Sequence, residues 1–271
     1  VVSTASHFIP ASDAIGWSAH LIAFAILLQT IEFIPIRPLF REQTGIWRWS
    51  IIRDEFNSFP KVIRWGLDRL LGFHGFVMLL WLRFFAAGAV VVFPWSKIPA
   101  AFPFFLLLST LLICLRWRGT FNGGSDYMTV ILTSALSAAQ LAPENLKLTQ
   151  ACLWYIAIQC CFSYFFAGWA KLKQSDWRSG QILTYLADLP AYGTPERLKL
   201  LLNRFGLVLS WSLILFECSF PLSLVDSRAC LAFIPLAICF HLGNVYAFGL
   251  NRFLFAWAAA YPALLYCTRS C

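Results

Sequence analysis

Charge is scarce in this sequence. Asp, Glu, Lys and Arg make up only 13% of its 271 residues, against 59% hydrophobic ones, where an ordinary soluble domain carries about 25% charged residues. That shortage excludes a simple water-soluble domain. A mean hydropathy of +0.69 leaves more apolar surface than one aqueous core can bury, so a bilayer is the expected solvent. None of the nine cysteines forms a C-x-x-C pair, which removes the spacing that a zinc or dithiol site requires. Most of them lie in apolar runs and read as small hydrophobes, while Cys267 and Cys271 stand close enough to pair or to carry a lipid. Internal repeats, low-complexity tracts and flexible linkers are also missing, and residues 1–271 read as a single membrane domain. The first residue is not methionine, which points to a processed or incompletely recorded start, and no secretory signal peptide is visible.

The net charge of +8 does not mark a nucleic-acid surface. Its basic residues are scattered between apolar runs, and in the most basic segment, residues 37–71, the acids Glu42, Asp54, Glu55 and Asp68 are interspersed. Such scattering suits membrane orientation better than a phosphate-binding face.

What the sequence has in abundance is apolar runs of membrane-spanning length. They predict an all-α polytopic membrane protein of about eight transmembrane helices, over residues 14–36, 72–93, 100–115, 127–142, 148–171, 204–225, 230–250 and 252–267. Residues 37–71, with Trp47, Trp49 and Trp65 among arginines, predict amphipathic helices lying in the interface. Residues 172–203 have a similar character, with an interfacial turn at 198–202. Alternating the loops puts most of the 21 basic residues on one side, leaving Lys97, Lys147, Arg228 and Arg269 on the other. The positive-inside rule then places both termini on the non-cytoplasmic side.

Ionisable residues inside such spans are costly, so each needs a partner or a function. Glu32, Arg83, Lys171, Glu217 and His241 form that set and are expected to converge on a polar cavity. Arg83 lies deepest, with Glu32 or Glu217 as candidate partner. Lys171 sits where an apolar helix gives way to a polar loop, and Tyr164, Ala167 and Gly168 share its helical face. A desolvated lysine loses proton affinity and can act as a base near neutrality. His241 could relay the proton, and Asn244, one turn on, shares its face. The turn Asn122-Gly123-Gly124-Ser125-Asp126 offers backbone amides to a ligand or caps a helix. A purely structural account stands beside this one: Arg83 pins helices together, and Lys171 snorkels to the surface.

The run Tyr164-Phe165-Phe166-Ala167-Gly168-Trp169-Ala170-Lys171-Leu172, followed by Trp177, Gly180 and Tyr185, resembles a signature of the vitamin K-dependent gamma-carboxylase transmembrane domain, the HTTM family. Phe240-His241-Leu242-Gly243-Asn244, followed by Phe248, Gly249 and Phe253, is similar to that family's second signature. Glu217, shortly before Pro221, sits where relatives carry an acidic residue. The resemblance runs from about residue 115 to 265. It implies a hydroquinone- or quinone-type lipid as cofactor, with Lys171 as the base that deprotonates it and His241 lining the same site. Asn122 would support the lysine, although the histidine that follows the family's asparagine is replaced here by Gly123. Asn244, Tyr164 and Trp177 would complete the ligand site, tuned in charge by Glu217, Arg83 and Glu32. No metal is implied. The chain also resembles short bacterial members of the family, similar to sporulation-delaying toxin maturation proteins, which implies the bacterial inner membrane and a secreted peptide substrate. Its partners would be membrane lipids, with no nucleic acid. The alternative is a non-catalytic subunit or assembly factor of a larger membrane complex. A transporter is weaker, since no inverted repeat is evident.

Overall fold

The computed structural model describes residues 8–117, 123–190 and 193–268. All regular structure among them is helical: α1 (Ala11–Phe33), α2 (Lys61–Leu71), α3 (Phe73–Val92), α4 (Ala101–Arg116), α5 (Gly124–Leu141), α6 (Leu146–Lys173), α7 (Ser175–Arg178), α8 (Gln181–Asp188), α9 (Glu196–Ser219), α10 (Ser227–Phe248), α11 (Asn251–Ala258) and α12 (Tyr261–Cys267). In lipid the backbone must satisfy itself, and an uninterrupted helix does so within one segment. Five helices are long and apolar enough to cross a membrane: α1, α3, α6, α9 with its 3₁₀ extension to Leu224, and α10.

The three other expected spans take a different form. Helix α4 has 16 residues and α5 has 18, many of them Ser, Thr and Ala. The final apolar run is divided at Ala259–Ala260 into α11 and α12, where Pro262 occupies the opening turn of the second piece, the position a proline tolerates best. Helix α9 starts directly after Pro195, so the turn expected at 198–202 is its first stretch instead. No glycine or proline interrupts Glu196–Asn203, and nothing there stops the helix from propagating back to the proline.

The chain divides into two compact units, residues 16–148 and residues 1–15 with 149–271. In the first, the segment expected to hold amphipathic helices forms three short 3₁₀ turns and then α2. Phe40, Trp49, Leu71, Phe76, Leu80 and Ile113 build its core. Asp68 on α2 accepts the Trp49 indole N–H at 2.8 Å and Arg53 Nη2 at 2.7 Å. Burial alone would raise the Asp68 pKa, but the Trp49 and Arg53 bonds outweigh it and hold the carboxyl below its usual value. A depressed carboxylate stabilises the fold above its unfolded pKa and ceases to do so as pH falls through the folded one. Unfolding midpoints of wild type and Asp68→Asn are therefore expected to converge as pH is lowered from neutral through and below the ordinary carboxylate range. A gap that stays constant over that range would contradict this.

Arg83 is fully buried in the same unit. Its Nη1 donates to Ser109 Oγ at 2.6 Å, Thr110 Oγ1 at 2.8 Å and the Leu106 carbonyl at 3.2 Å, and Nη2 donates to Gln29 Oε1 at 2.9 Å. The Gln29 amide N–H₂ then donates to Asp126 Oδ1 at 3.0 Å. One guanidinium thus ties α1, α3 and α4 together, with Gln29 extending the tie to α5. His20 is likewise satisfied, with Nδ1 2.7 Å from the Val90 carbonyl oxygen.

The second unit is built on α6, α9, α10 and the α11–α12 pair. At 28 residues, α6 is about 42 Å long at 1.5 Å per residue, more than the roughly 30 Å hydrocarbon thickness. That length is enough for its final turn, which carries Lys171 and Lys173, to extend past the hydrocarbon.

Candidate functional site

Two close approaches set the geometry of the second unit. A Cβ on Gly168 would lie 2.8 Å from both Cys218 N and Glu217 Cβ, so only glycine lets α6 and α9 come this near. Gly180, with φ of +77°, packs its Cα against the backbone of Gly206 and Leu207, in a conformation that glycine adopts without steric cost. Ser210 donates to the Trp177 carbonyl, and Trp211 Nε1 donates to the Arg178 carbonyl at 3.1 Å. The loop after α6 is thereby fixed along α9.

These contacts bring Lys171 to Glu217. Lys171 Nζ lies 2.8 Å from Oε1 and 2.6 Å from Oε2, and the two side chains are 18% and 3% exposed. The amine also sits 5.1 Å from the centre of the Trp177 ring, where the π face favours a cation. Lys171 is therefore held in a charge pair beneath an indole. It does not trail free among headgroups.

The pair lies on the wall of a cavity of about 290 Å³, which Tyr164, Trp177, His241 and Asn244 also line. Tyr164 Oη is 2.7 Å from His241 Nε2 and 2.9 Å from Tyr261 Oη, so three titratable groups form one hydrogen-bonded chain. Its direction follows the histidine tautomer. His241 and Trp257 are 2% and 5% exposed, yet His241 Nδ1 and Trp257 Nε1 have no hydrogen-bond partner among the described residues. Both side chains line the cavity. Buried polar atoms are nearly always paired, so two orphans at one cavity call for a ligand or water to meet them.

Six of the residues singled out from sequence thus meet in one place: Lys171, Glu217, His241, Tyr164, Trp177 and Asn244. The expected convergence of all ionisable groups does not extend to Arg83 and Glu32, which belong to the other unit and do not line this cavity. Glu217, a candidate partner for Arg83, gives both oxygens to Lys171 instead. Asn122 lies outside the described residues. Tyr261 and Trp257 carried no sequence signal, since an aromatic inside an apolar run looks the same whether it faces lipid or a site. Among the described residues, no His, Cys, Asp and Glu cluster is arranged to hold a metal ion.

A family profile described as HTTM domain matches residues 131–270, just over half of the chain, and takes in every residue of the cavity. The chain belongs to the HTTM family. Neither the curated proteins nor the solved structures contain a significant match to it. The HTTM match covers α6 to α12, and both motifs quoted from the sequence fall inside it. The first supplies Gly168 and Lys171 and the second supplies His241 and Asn244. The HTTM segment is thus the part of this membrane protein in which a close helix approach, a buried charge pair and a cavity coincide.

Proposed function

We propose that this HTTM protein binds a lipid-like molecule with an oxygen-bearing ring, of the hydroquinone–quinone class, and that Lys171 takes a proton from it. The observation that carries this reading is the Lys171–Glu217 pair on the wall of a cavity whose lining residues include His241 and Trp257, each with a buried polar atom that has no hydrogen-bond partner among the described residues. The residues fit such a ring. Phe240, Phe248, Phe253 and Leu213 line the cavity and suit its faces, while His241 Nδ1 and Trp257 Nε1 suit its oxygens. The volume approaches the lower end of small-molecule sites, about 300 Å³, and admits a ring headgroup with its tail left in the membrane.

A reduced ring of this class supplies a dissociable hydroxyl and the electrons for later oxygen chemistry. Both Glu217 oxygens lie within hydrogen-bond reach of Lys171 Nζ, at 2.8 and 2.6 Å. Glu217 can accept the proton of Lys171, leaving Nζ neutral and able to receive one from a hydroxyl beside it. Tyr164, His241 and Tyr261 can hold or pass on a proton through their shared hydrogen bonds. Oxidoreductase or carboxylase-like chemistry, including maturation of a secreted peptide, would start from such a step. A scaffold whose polar residues only lock helices would fill this space with side chains.

We place the protein in the bacterial inner membrane. Helices α4, α5 and the α11–α12 pair would complete eight passes, with both termini on the non-cytoplasmic side. The test is to titrate the purified protein anaerobically with a short-tailed naphthohydroquinone and follow quenching of its tryptophan fluorescence, to which Trp177 and Trp257 at the cavity contribute. Saturable quenching is expected, with affinity falling about tenfold in His241→Phe. No saturation, or equal affinity in the variant, would overturn the assignment.

A further inference from the structure

The unit formed by residues 16–148 carries a second buried cation, and the proposed reaction does not use it. Arg116 closes α4 and is 1% exposed. Its Nη2 donates to the Trp47 carbonyl at 2.6 Å. Its guanidinium carbon lies 5.4 Å from the centre of the Phe76 ring, 5.7 Å from that of Trp49 and 5.8 Å from that of Phe40. Those rings stabilise the charge but do not replace oxygen acceptors. Nε and Nη1 have no hydrogen-bond partner among the described residues. Glu42 acts on Arg116 through space, but its carboxylate already accepts the backbone N–H groups of Trp49 at 3.1 Å and Ser50 at 3.3 Å. It tempers the charge and leaves those donors unmet.

Beside this guanidinium lies a cavity of about 190 Å³, lined among others by Arg116, Arg48, Trp47, Trp117, Ile46 and Ile51. Arg48 is exposed, and Ile46 and Ile51 are 65% and 47% exposed. The cavity therefore combines a buried guanidinium, an exposed one and apolar side chains that face outward. It adjoins the end of an apolar helix, in a segment that holds Trp47, Trp49 and Trp65, residues typical of the membrane–water boundary.

We propose that this cavity binds the phosphate headgroup of a membrane lipid, with Arg116 in its wall and Arg48 beside it. A guanidinium presents several N–H donors in one plane and matches an oxyanion with several acceptors better than a single carbonyl does. Free phosphate would meet the donors but leave the aromatic and isoleucine surface uncovered. A glycerophospholipid covers both, its glycerol and upper acyl carbons lying against Ile46 and Ile51. Bound there, it would complete the coordination of Arg116 and fasten the turns around Trp47 to the interface.

The test uses the full chain purified in maltoside detergent and three probes: dihexanoyl-phosphatidylglycerol, dihexanoylglycerol and inorganic phosphate. Tryptophan fluorescence and the thermal unfolding midpoint are read for each. Only the phospholipid is expected to give a saturable fluorescence change and a raised midpoint. Arg48→Gln should weaken that response about threefold and Arg116→Lys about tenfold, since lysine keeps the charge but loses the planar donor set. If Arg116→Lys does not fold, the probe series and the exposed Arg48→Gln still decide. An equal response to dihexanoylglycerol would mean that phosphate is not recognised. The same response to inorganic phosphate alone would make this a free-anion site. Either result overturns the proposal, as does an unchanged affinity in Arg48→Gln or no response to the phospholipid.

Discussion

Lys171→Ala is expected to destabilise the protein by about 3 kcal/mol, while Lys171→Met combined with Glu217→Leu stays within about 1 kcal/mol of wild type. The reason lies in what each change leaves behind. Both Glu217 oxygens accept from Lys171 Nζ, and the Glu217 side chain is only 3% exposed. Deleting the amine strands a largely buried carboxylate without its partner, so it must stay charged and unpaired or take up a proton, and both are costly. Replacing both residues with apolar ones of similar volume removes the attraction and the desolvation penalty together, and such exchanges are often close to neutral.

Reversible unfolding in mixed detergent, measured on wild type, both single variants and the double, yields the coupling energy directly. Additive losses, with the double as unstable as the two singles combined, would mean that the pair is not coupled. The same cycle guards the functional reading. A loss of hydroquinone binding in Lys171→Ala alone mixes a missing base with a damaged fold, whereas loss in a double variant of normal stability reports on the base itself.

The sequence shows some parts of this architecture more clearly than others, for identifiable reasons. The runs expected at 72–93, 148–171 and 230–250 fall within a few residues of α3, α6 and α10, because a helix that is apolar on every side announces itself by composition. The break at Ala259–Ala260 left no mark in composition, since both halves are apolar, and only Pro262 just beyond it signals a new start. Arg83 was legible as a residue needing partners, but Ser109, Thr110 and the Leu106 carbonyl read as packing residues and plain backbone. Lys171 and Glu217 are 46 positions apart. Whether that carboxylate serves Lys171 or Arg83 is settled by how α9 docks on α6, and no spacing rule contains that. His241 and Asn244 shared a helical face by periodicity alone. The aromatic residues that complete their surroundings, Trp257 and Tyr261, could be found only once α11 and α12 were folded back.

The docking of α9 on α6 supplies the other large expected effect. Gly168→Val should cost about 3 kcal/mol and abolish ligand binding at the cavity, whereas Gly243→Val on α10 should change stability by no more than about 0.5 kcal/mol. The two glycines are both helical and receive the same side chain, so the helix-propensity change largely cancels between them. They differ in what the new carbon meets. At Gly243 nothing lies within 4 Å, while at Gly168 the nearest atoms are Cys218 N and Glu217 Cβ, both at 2.8 Å. Neither is the end of a flexible side chain. Carbon atoms rest at about 3.5–4.0 Å, so α9 must retreat from α6 by something approaching 1 Å. Lys171 stands on the same helix nearly one turn further along, and its bonds to Glu217, at 2.6 and 2.8 Å, cannot follow that movement without lengthening. Gly168 would therefore act on the charge pair without touching the ligand, as a positioning residue. Its signature is that Gly168→Val weakens the Lys171–Glu217 coupling measured in the same double-mutant cycle. A full coupling energy in that background would show that α6 and α9 are not brought together by the glycine.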